Sequence, residues 1–172
     1  MEVIDNFLPL NTYHEIRQLV TSSSFLWNMS KVIPTGNDWG GKQIYGSLSC
    51  DPLKNYQLNH TFYKDDVPVS PMYNNIYPLL QKLEPRSIMR VRANCNINTE
   101  TIIEHGMHKD YDFDSWAAVY YLNTCNGYTK FENGEKVDSV ANRVVKFKAN
   151  ELHTGTTCTD TLARYVINVN FF

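Results

Sequence analysis

After Pro85 the chain alternates apolar and polar residues with a period of two. In the segment IMRVRANCNI, residues 88–97, apolar side chains from Met89 onward alternate with Arg and Asn. Successive side chains of a strand point to opposite faces, so this pattern predicts a strand with one apolar and one polar face. Four later segments are rich in β-branched and aromatic residues: WAAVYYLN, GYTKF, RVVKFK and RYVINVNFF. Short strands at this spacing predict a mainly β fold, a jelly roll of two sheets with flanking helices.

The helices are predicted in the first half of the chain. A short strand in EVIDNF precedes a helix near residues 12–21, where Thr12 and Glu15 match a Thr-x-x-Glu capping box. A second helix is predicted over residues 71–83, and Pro78 within it is expected to kink or shorten it. We expect both helices to pack outside the larger sheet.

The length of 172 residues fits one domain, with a front of helices and loops at 1–85 and a jelly-roll core at 86–172. Within the front, residues 34–70 carry most of the turn-forming residues, so long loops with short strands are expected there. The four cysteines are scattered without a CxxC pair, which favours buried reduced thiols over a disulfide framework or a zinc site.

The charge pattern argues against two classes of partner. Sixteen basic and eighteen acidic side chains leave a net charge of −2, and no long Lys/Arg run suggests binding to nucleic acid or to an anionic membrane. The longest apolar runs are too short to span a bilayer. The N-terminal segment MEVIDNFLPL is acidic and lacks the basic flank of a signal peptide, so a cytoplasmic protein is expected.

The stretch HGMHKDYDFD contains a candidate metal site. His108 and Asp110 are two residues apart, so in a strand both side chains project to the same face. A histidine from a distant strand would complete a set of two imidazoles and one carboxylate, and His153 in NELHTGTT can supply it. Such a set suits non-haem Fe(II) and leaves coordination positions open. Taken alone, the His-x-Asp pair is also compatible with a polar loop.

The chain contains three other histidines. His105 competes with His108, although only His108 has the alternating relation to Asp110. His14 and His60 have no acidic residue at ligand spacing, so both are predicted to be surface residues.

The order of motifs from Arg90 to Phe172 resembles that of the 2-oxoglutarate and Fe(II)-dependent dioxygenases. The similarity is greatest to the prolyl 4-hydroxylase-like branch, and within it to compact members carried by bacteriophages. The motifs are HKD, VYYLN, GYTKF, LHTG and RYVINVNF, in that order. The resemblance implies a cupin-like double-stranded β-helix that binds Fe(II), 2-oxoglutarate and O2. It also implies oxidation of a substrate C–H bond with release of succinate and CO2, in the host cytoplasm if the chain is phage-encoded.

The resemblance also implies roles for individual residues. His108, Asp110 and His153 would be the metal ligands, and Arg164 would bind the far carboxylate of 2-oxoglutarate. A planar guanidinium suits that task because it meets a carboxylate with two parallel hydrogen bonds. Tyr121 matches a tyrosine that touches the same carboxylate. Three further pocket positions are implied, with the last at a position where relatives have tyrosine: Thr129, Asn168 and Asn94.

The periodicity of the last strand is consistent with these roles. Arg164, Val166, Asn168 and Asn170 share one face, and polar groups on a buried face need polar partners.

Two other functions are compatible with the sequence. One is a jelly-roll binding module without catalytic activity, and the other is a jelly-roll metal enzyme that does not use 2-oxoglutarate. A binding module would not require His153 and Arg164 together, and the second function leaves Arg164 and Tyr121 without a role. For the dioxygenase, the substrate is expected to be a peptide prolyl residue or a small molecule. The loops at 34–70 are expected to line its binding site, where Trp39 and Tyr45 could stack on a ring.

Overall fold

Residues 1–33 and 49–172, which a computed structural model describes, contain eleven strands in two antiparallel sheets. The helices are α1 (Leu10–Thr21) and α2 (Tyr77–Leu83), with 3-10 turns at Pro52–Lys54 and Tyr73–Ile76. The strands are β1 (Glu2–Ile4), β2 (Asn28–Ser30), β3 (Gln57–Lys64), β4 (Val67–Pro68), β5 (Ile88–Ile97), β6 (Trp116–Tyr121), β7 (Tyr128–Phe131), β8 (Lys136–Asp138), β9 (Val144–Lys148), β10 (His153–Gly155) and β11 (Ala163–Phe171).

The larger sheet has the strand order β1-β9-β6-β11-β5-β3-β2, with β4 paired to β3. The smaller sheet has the order β10-β7-β8. Two isolated bridges, Glu104 to Thr156 and His108 to His153, add the segment after β5 to the free edge of β10. These bridges add a fourth segment at the edge of the three-stranded smaller sheet, and this segment carries the HKD motif.

The two faces of the larger sheet pack against different partners. One face, which includes Val91 and Ile167, packs against buried residues of both helices, among them Ile16, Val20 and Leu79. The opposite face packs against the smaller sheet through a second apolar cluster: Ala117, Val119, Tyr121, Phe131, Val137, Val145, Phe147, Ala149 and Val166. The helices therefore lie outside the larger sheet, and the space between the two sheets is left for a site.

The fold class predicted from the sequence is confirmed: a mainly β, jelly-roll fold with flanking helices. The segment IMRVRANCNI forms β5 over its full length, and the last predicted strand forms β11. These two strands pair antiparallel, with Arg164 opposite Asn96 and Asn168 opposite Arg92. Paired side chains lie on the same face, so the polar residues of both strands form one inward surface.

Both helix starts differ from the prediction. α1 begins at Leu10 after Pro9, whose side chain makes no capping hydrogen bond, so the predicted capping box at Thr12 is wrong. The helix instead starts behind a proline, whose fixed φ suits a helix entrance. The predicted helix over 71–83 is shortened to Tyr77–Leu83, one of the two effects expected of Pro78, which lies in its first turn; the preceding residues form a 3-10 turn. A missing N–H costs nothing in a first turn, where that donor has no helical partner.

The front of the chain contributes more to the sheet than predicted. β3 is eight residues long and pairs with β5, and β1 pairs with β9. The region predicted as long loops with short strands therefore includes an eight-residue strand, whose inward residues Gln57, Asn59 and Thr61 are polar and mask its pattern. Trp39 and Tyr45 lie outside the described residues. None of the helices in the described ranges is long and apolar enough to cross a membrane.

Candidate functional site

Three potential metal ligands meet at the edge where the HKD segment joins β10. The ligand atoms of His108, Asp110 and His153 all lie within 4.8 Å of one another. Two backbone hydrogen bonds between His108 and His153 hold these two residues side by side, with N to O distances of 2.9 and 3.0 Å. The amide of Asp110 donates to the carbonyl of Ala149 at 3.0 Å, which places the third. These are the three residues that the sequence predicts as ligands.

Backbone carbonyls orient both imidazole rings. Nδ1 of His153 lies 2.9 Å from the carbonyl oxygen of Glu151, and Nδ1 of His108 lies 3.3 Å from that of Gly106. A carbonyl oxygen can only accept, so each Nδ1 carries the proton in these bonds. The Nε2 lone pair of each ring is then free for a metal, an arrangement common to histidine ligands.

Two side chains hold the carboxylate of Asp110. Arg90 donates from Nη2 to Oδ1 at 3.0 Å, and Asn170 donates from Nδ2 to Oδ2 at 2.8 Å. Arg90 also donates from Nε to Asn170 Oδ1 at 3.1 Å, which closes the network. Neither Arg90 nor Asn170 was predicted as a site residue. Arg90 lies on the polar face of IMRVRANCNI, and Asn170 lies on the polar face of the terminal strand.

The protonation states of the ligands suit a divalent cation. Burial, and then the neighbouring His153, lower the pKa of His108 to about 4. Burial alone would raise the pKa of Asp110, but Arg90 and the two histidines outweigh it and hold that pKa well below its usual range. At neutral pH the site therefore presents a neutral imidazole at His108 and an ionised carboxylate, the forms that bind metals.

Arg164 lies at the base of the space between the sheets and is 2% exposed. Its Nη2 donates to Thr129 Oγ1 at 2.9 Å, and the Tyr121 hydroxyl donates to the same oxygen at 2.8 Å. The guanidinium carbon lies 5.4 Å from the centre of the Tyr121 ring. Arg164 Nε has no hydrogen-bond partner among the described residues. The structure thus brings Arg164, Tyr121 and Thr129 together, as the sequence predicts.

Glycines make room for the arginine. A Cβ at Gly155 would lie 3.3 Å from Arg164 Nη1, and one at Gly127 would lie 2.8 Å from Arg164 Cδ and 2.6 Å from the Thr157 carbonyl. The Arg164 side chain therefore occupies space that a side chain at either position would need.

His105 lies beside this arginine and away from the metal ligands. It is 1% exposed, and within the described ranges neither ring nitrogen has a hydrogen-bond partner. Its amide approaches the carbonyl of Gly155 at 3.5 Å, so it stands opposite the glycine that faces Arg164. Burial, and then Arg164, lower its pKa to about 4. His105 is absent from the group of potential metal ligands, whereas His108 belongs to it. The structure therefore favours His108 over His105 as the candidate ligand.

Arg164 projects from the larger sheet onto one row of paired residues in the smaller sheet, and the candidate metal ligands gather at another row. Gly155 pairs with Thr129, whereas His153 pairs with Phe131. Because these rows are two residues apart along β10, they are separated by roughly 6–7 Å. A short dicarboxylate lying along β10 can therefore contact Arg164 at one end and the metal position at the other.

The remaining predicted pocket residues lie on the larger sheet. Asn168 faces inward and its Oδ1 is buried without a partner in the part of the chain that the structure describes. Asn94 is 5% exposed, and its Oδ1 accepts from Arg92 Nε at 3.1 Å. Asn94 is thus committed to Arg92, a residue that the sequence reasoning did not single out.

The two other histidines have different outcomes. His14 is exposed, as predicted. The prediction for His60 is wrong, because it is buried and 2.8 Å from both the Leu26 carbonyl and Ser70 Oγ. Its two ring nitrogens are satisfied within the fold, so its role is structural.

The cysteines of the described residues are free thiols, and three of the four are buried. Two of them, Cys125 and Cys158, lie with Asp160 in a second group whose potential ligand atoms are within 4.8 Å. Both carboxylate oxygens of Asp160 already accept from the Asn126 amide at 3.0 Å. A structural zinc takes four ligands. This group offers three, and one of them, Asp160, is already hydrogen-bonded, so the group falls short of a zinc site.

The sheet topology and the helix positions define a double-stranded β-helix, and comparison with solved structures agrees. A prolyl hydroxylase from Trichoplax adhaerens, solved with a hypoxia inducible factor peptide fragment, superposes with a TM-score of 0.68 at 16% identity, covering 99% of this chain and 82% of that one. A prolyl-4-hydroxylase from Pseudomonas putida gives a TM-score of 0.60 at 14% identity, with coverage of 99% and 91%.

A third similar structure is a non-heme alpha-ketoglutarate-dependent epimerase from nogalamycin biosynthesis, with a TM-score of 0.62 at 12% identity, covering 99% of this chain and 76% of that one. No protein-family model matches the sequence, and no curated protein matches it. At these identities the likeness concerns the fold, and fold alone does not determine function.

Proposed function

We propose that this protein is a non-haem Fe(II) and 2-oxoglutarate-dependent dioxygenase. His108, Asp110 and His153 would bind the iron, and Arg164 would bind the far carboxylate of 2-oxoglutarate. The observation that carries the proposal is a buried arginine in contact with Gly155 and Thr129, two residues along β10 from the point where three potential ligands converge. Each feature occurs without the other in many proteins, whereas together they match the two ends of a 2-oxo dicarboxylate.

The residues fit both groups. Two imidazoles and one carboxylate are a donor set that suits Fe(II) and leaves positions open for a chelating co-substrate and O2. The buried and unpartnered donor Arg164 Nε indicates that an acceptor group of a ligand completes this space. When bound, iron with 2-oxoglutarate and O2 supplies the oxidising chemistry that couples C–H oxidation to release of succinate and CO2.

The side chains of the pocket would act by holding charge and position. Thr129 Oγ1 accepts from both Arg164 and Tyr121, so its own hydrogen remains free to donate to a carboxylate. Burial raises the pKa of Tyr121, which keeps its hydroxyl protonated as a donor. On the metal side, Arg90 keeps Asp110 ionised, and the carbonyls of Glu151 and Gly106 fix the two imidazole rings.

The competing interpretations explain less of the pocket. A non-enzymatic jelly-roll binding module needs no metal ligands, and a metal enzyme without 2-oxoglutarate leaves Arg164 without an anion. A buried guanidinium without a counter-charge is costly to the folded state. The primary substrate of the proposed enzyme would be a peptide prolyl residue or a small molecule. Structures of similar fold include both prolyl hydroxylases and an epimerase.

The proposal can be tested by binding and turnover in sequence. Calorimetry under nitrogen should detect one Fe(II) per chain, and then 2-oxoglutarate binding that depends on the metal. On admission of oxygen, succinate should form from 2-oxoglutarate, and a substrate panel should accelerate it. Metal binding without metal-dependent 2-oxoglutarate binding would favour the other metal enzyme, and failure to bind either would favour the binding module.

A further inference from the structure

Arg92 occupies the centre of the inward polar face of β5. Its cross-strand neighbours are Asn168 on β11 and Thr61 on β3, and the adjacent inward positions on its own strand are Arg90 and Asn94. Nε of Arg92 donates to Asn94 Oδ1 at 3.1 Å, which fixes the plane of the guanidinium. The two Nη groups at its outer end are not engaged in any hydrogen bond to the described part of the chain.

The positive charge of Arg92 lacks an acidic partner among residues 1–33 and 49–172. The one carboxylate close enough to affect it, Asp110, is ion-paired with Arg90 at 3.0 Å. Burial, and then the like charge of Arg90, lower the pKa of Arg92 to about 10. A partly buried cation beside a second cation is unfavourable in isolation, so a bound anion would stabilise this arrangement.

The position of Arg92 separates this anion from the far end of 2-oxoglutarate. On the paired strands, Arg164 stands opposite Asn96 and Arg92 stands opposite Asn168, four residues along. That spacing corresponds to roughly 13 Å. Arg90, which contacts the ligand Asp110, is only two residues from Arg92, or roughly 7 Å along the strand. An anion held by Arg92 therefore lies on the metal side of the pocket, where a primary substrate must place its C–H bond.

We propose that Arg92 binds a carboxylate of the primary substrate, which makes that substrate a small carboxylic acid such as an amino acid. A carboxylate is the group that fits because the two Nη groups form a planar fork matching its two oxygens. The inference rests on the proposed dioxygenase function and names the substrate class for the same site. It orients the substrate with its acidic end on β5 and its oxidised carbon toward the three ligands.

The test is equilibrium binding of acid and amide pairs under nitrogen. The protein is loaded with Fe(II) and 2-oxoglutarate, so that no turnover occurs. The probes are the common amino acids and short-chain carboxylic acids, each paired with its neutral amide. Compounds that raise the melting temperature of the protein are then measured by calorimetry. At least one acid should bind about tenfold or more tightly than its amide, as expected for charge-assisted hydrogen bonds.

Variants assign that preference to Arg92. Arg92→Gln should abolish the acid-over-amide preference, Arg92→Lys should retain part of it, and the exposed Arg17→Gln on α1 serves as the matched control. The inference is overturned if no acid outperforms its amide, or if the preference persists in Arg92→Gln. It is also overturned if Arg92→Gln weakens 2-oxoglutarate itself, because the anion would then be the co-substrate. Iron and 2-oxoglutarate binding are measured first in the parent protein, and their absence there would instead contradict the dioxygenase proposal.

Discussion

Arg90 and Asp110 form a 3.0 Å ion pair between strand β5 of the larger sheet and the edge segment of the smaller one. The pair joins the two sheets at the candidate metal position, and Asn170 binds the second carboxylate oxygen. The same guanidinium that aims this carboxylate also holds it ionised. Metal affinity should therefore depend on a residue that is not itself a ligand.

Replacing Arg90 with Gln should weaken Fe(II) binding by roughly 10- to 100-fold, as is typical when a partner of a metal ligand is lost. The pKa of Asp110 should rise, so the loss of affinity should grow as the pH falls. Calorimetric titration with Fe(II) at two pH values, with Arg17→Gln as control, measures both effects. Equal affinity in parent and variant would mean that Asp110 is oriented by Asn170 alone.

Replacing His108 or Asp110 with Ala should abolish stoichiometric iron binding, because either change leaves only two protein ligands. His105→Ala should keep the iron, since His105 lies outside the ligand group. Metal analysis of the purified, Fe(II)-reconstituted variants measures this directly. Iron loss in His105→Ala with retention in His108→Ala would transfer the ligand role to His105.

Replacing Arg164 with Ala should raise the dissociation constant of 2-oxoglutarate by roughly a hundredfold or more, because each hydrogen bond to a charged group contributes about 1.5–3 kcal/mol. Arg164→Lys should recover only part of the affinity, since an ammonium lacks the fork geometry. Calorimetry with 2-oxoglutarate gives both constants, and preserved iron binding shows that the variants fold. If Arg164→Ala bound 2-oxoglutarate like the parent, the arginine would be a structural residue.

The metal-free protein should lose stability on acidification because of His105. Its pKa of about 4 in the fold lies below the usual histidine value of 6.5. Between these values the unfolded chain binds more protons, so stability falls as the pH falls. From pH 7 to pH 5 this residue alone should remove about 2 kcal/mol of unfolding free energy.

Denaturant titrations at pH 7 and pH 5 measure that loss. His105→Gln should show a smaller loss than the parent, while the exposed His14→Gln should behave like the parent. An identical pH dependence in His105→Gln would indicate that the imidazole takes up its proton without cost.

The sequence allowed the fold class and the core strands to be predicted, and it named the side chains that converge at the candidate site. These are the parts of the molecule encoded by strong alternation and by motif order, as in β5 and β11. The helix starts could not be placed, because a matching Thr-x-x-Glu pattern does not reveal that Pro9 has already begun the turn. Short strands were expected near β3, but its bounds and length were not predicted, because its inward residues are polar and lack the apolar signal of a core strand.

The sequence also did not reveal which side chains contact the candidate metal ligands. Arg90 contacts Asp110 from twenty positions earlier in the chain, and Asn170 does so from sixty positions later. Only the pairing of β5 with β11 brings them side by side. His105 was visible as a histidine, but its burial against Arg164 depends on its register with Gly155, which no local pattern encodes.

The register of β10 also acts as a molecular ruler. Gly155 faces Arg164, and His153 belongs to the group of potential metal ligands. In the proposed enzyme, two residues of extended backbone would therefore set the distance between the co-substrate anchor and the metal. Extended backbone has little compliance along its length, and one inserted residue would turn the next side chain to the opposite face. Oxo-diacids one carbon shorter or longer than 2-oxoglutarate would therefore contact one end of the ruler and miss the other.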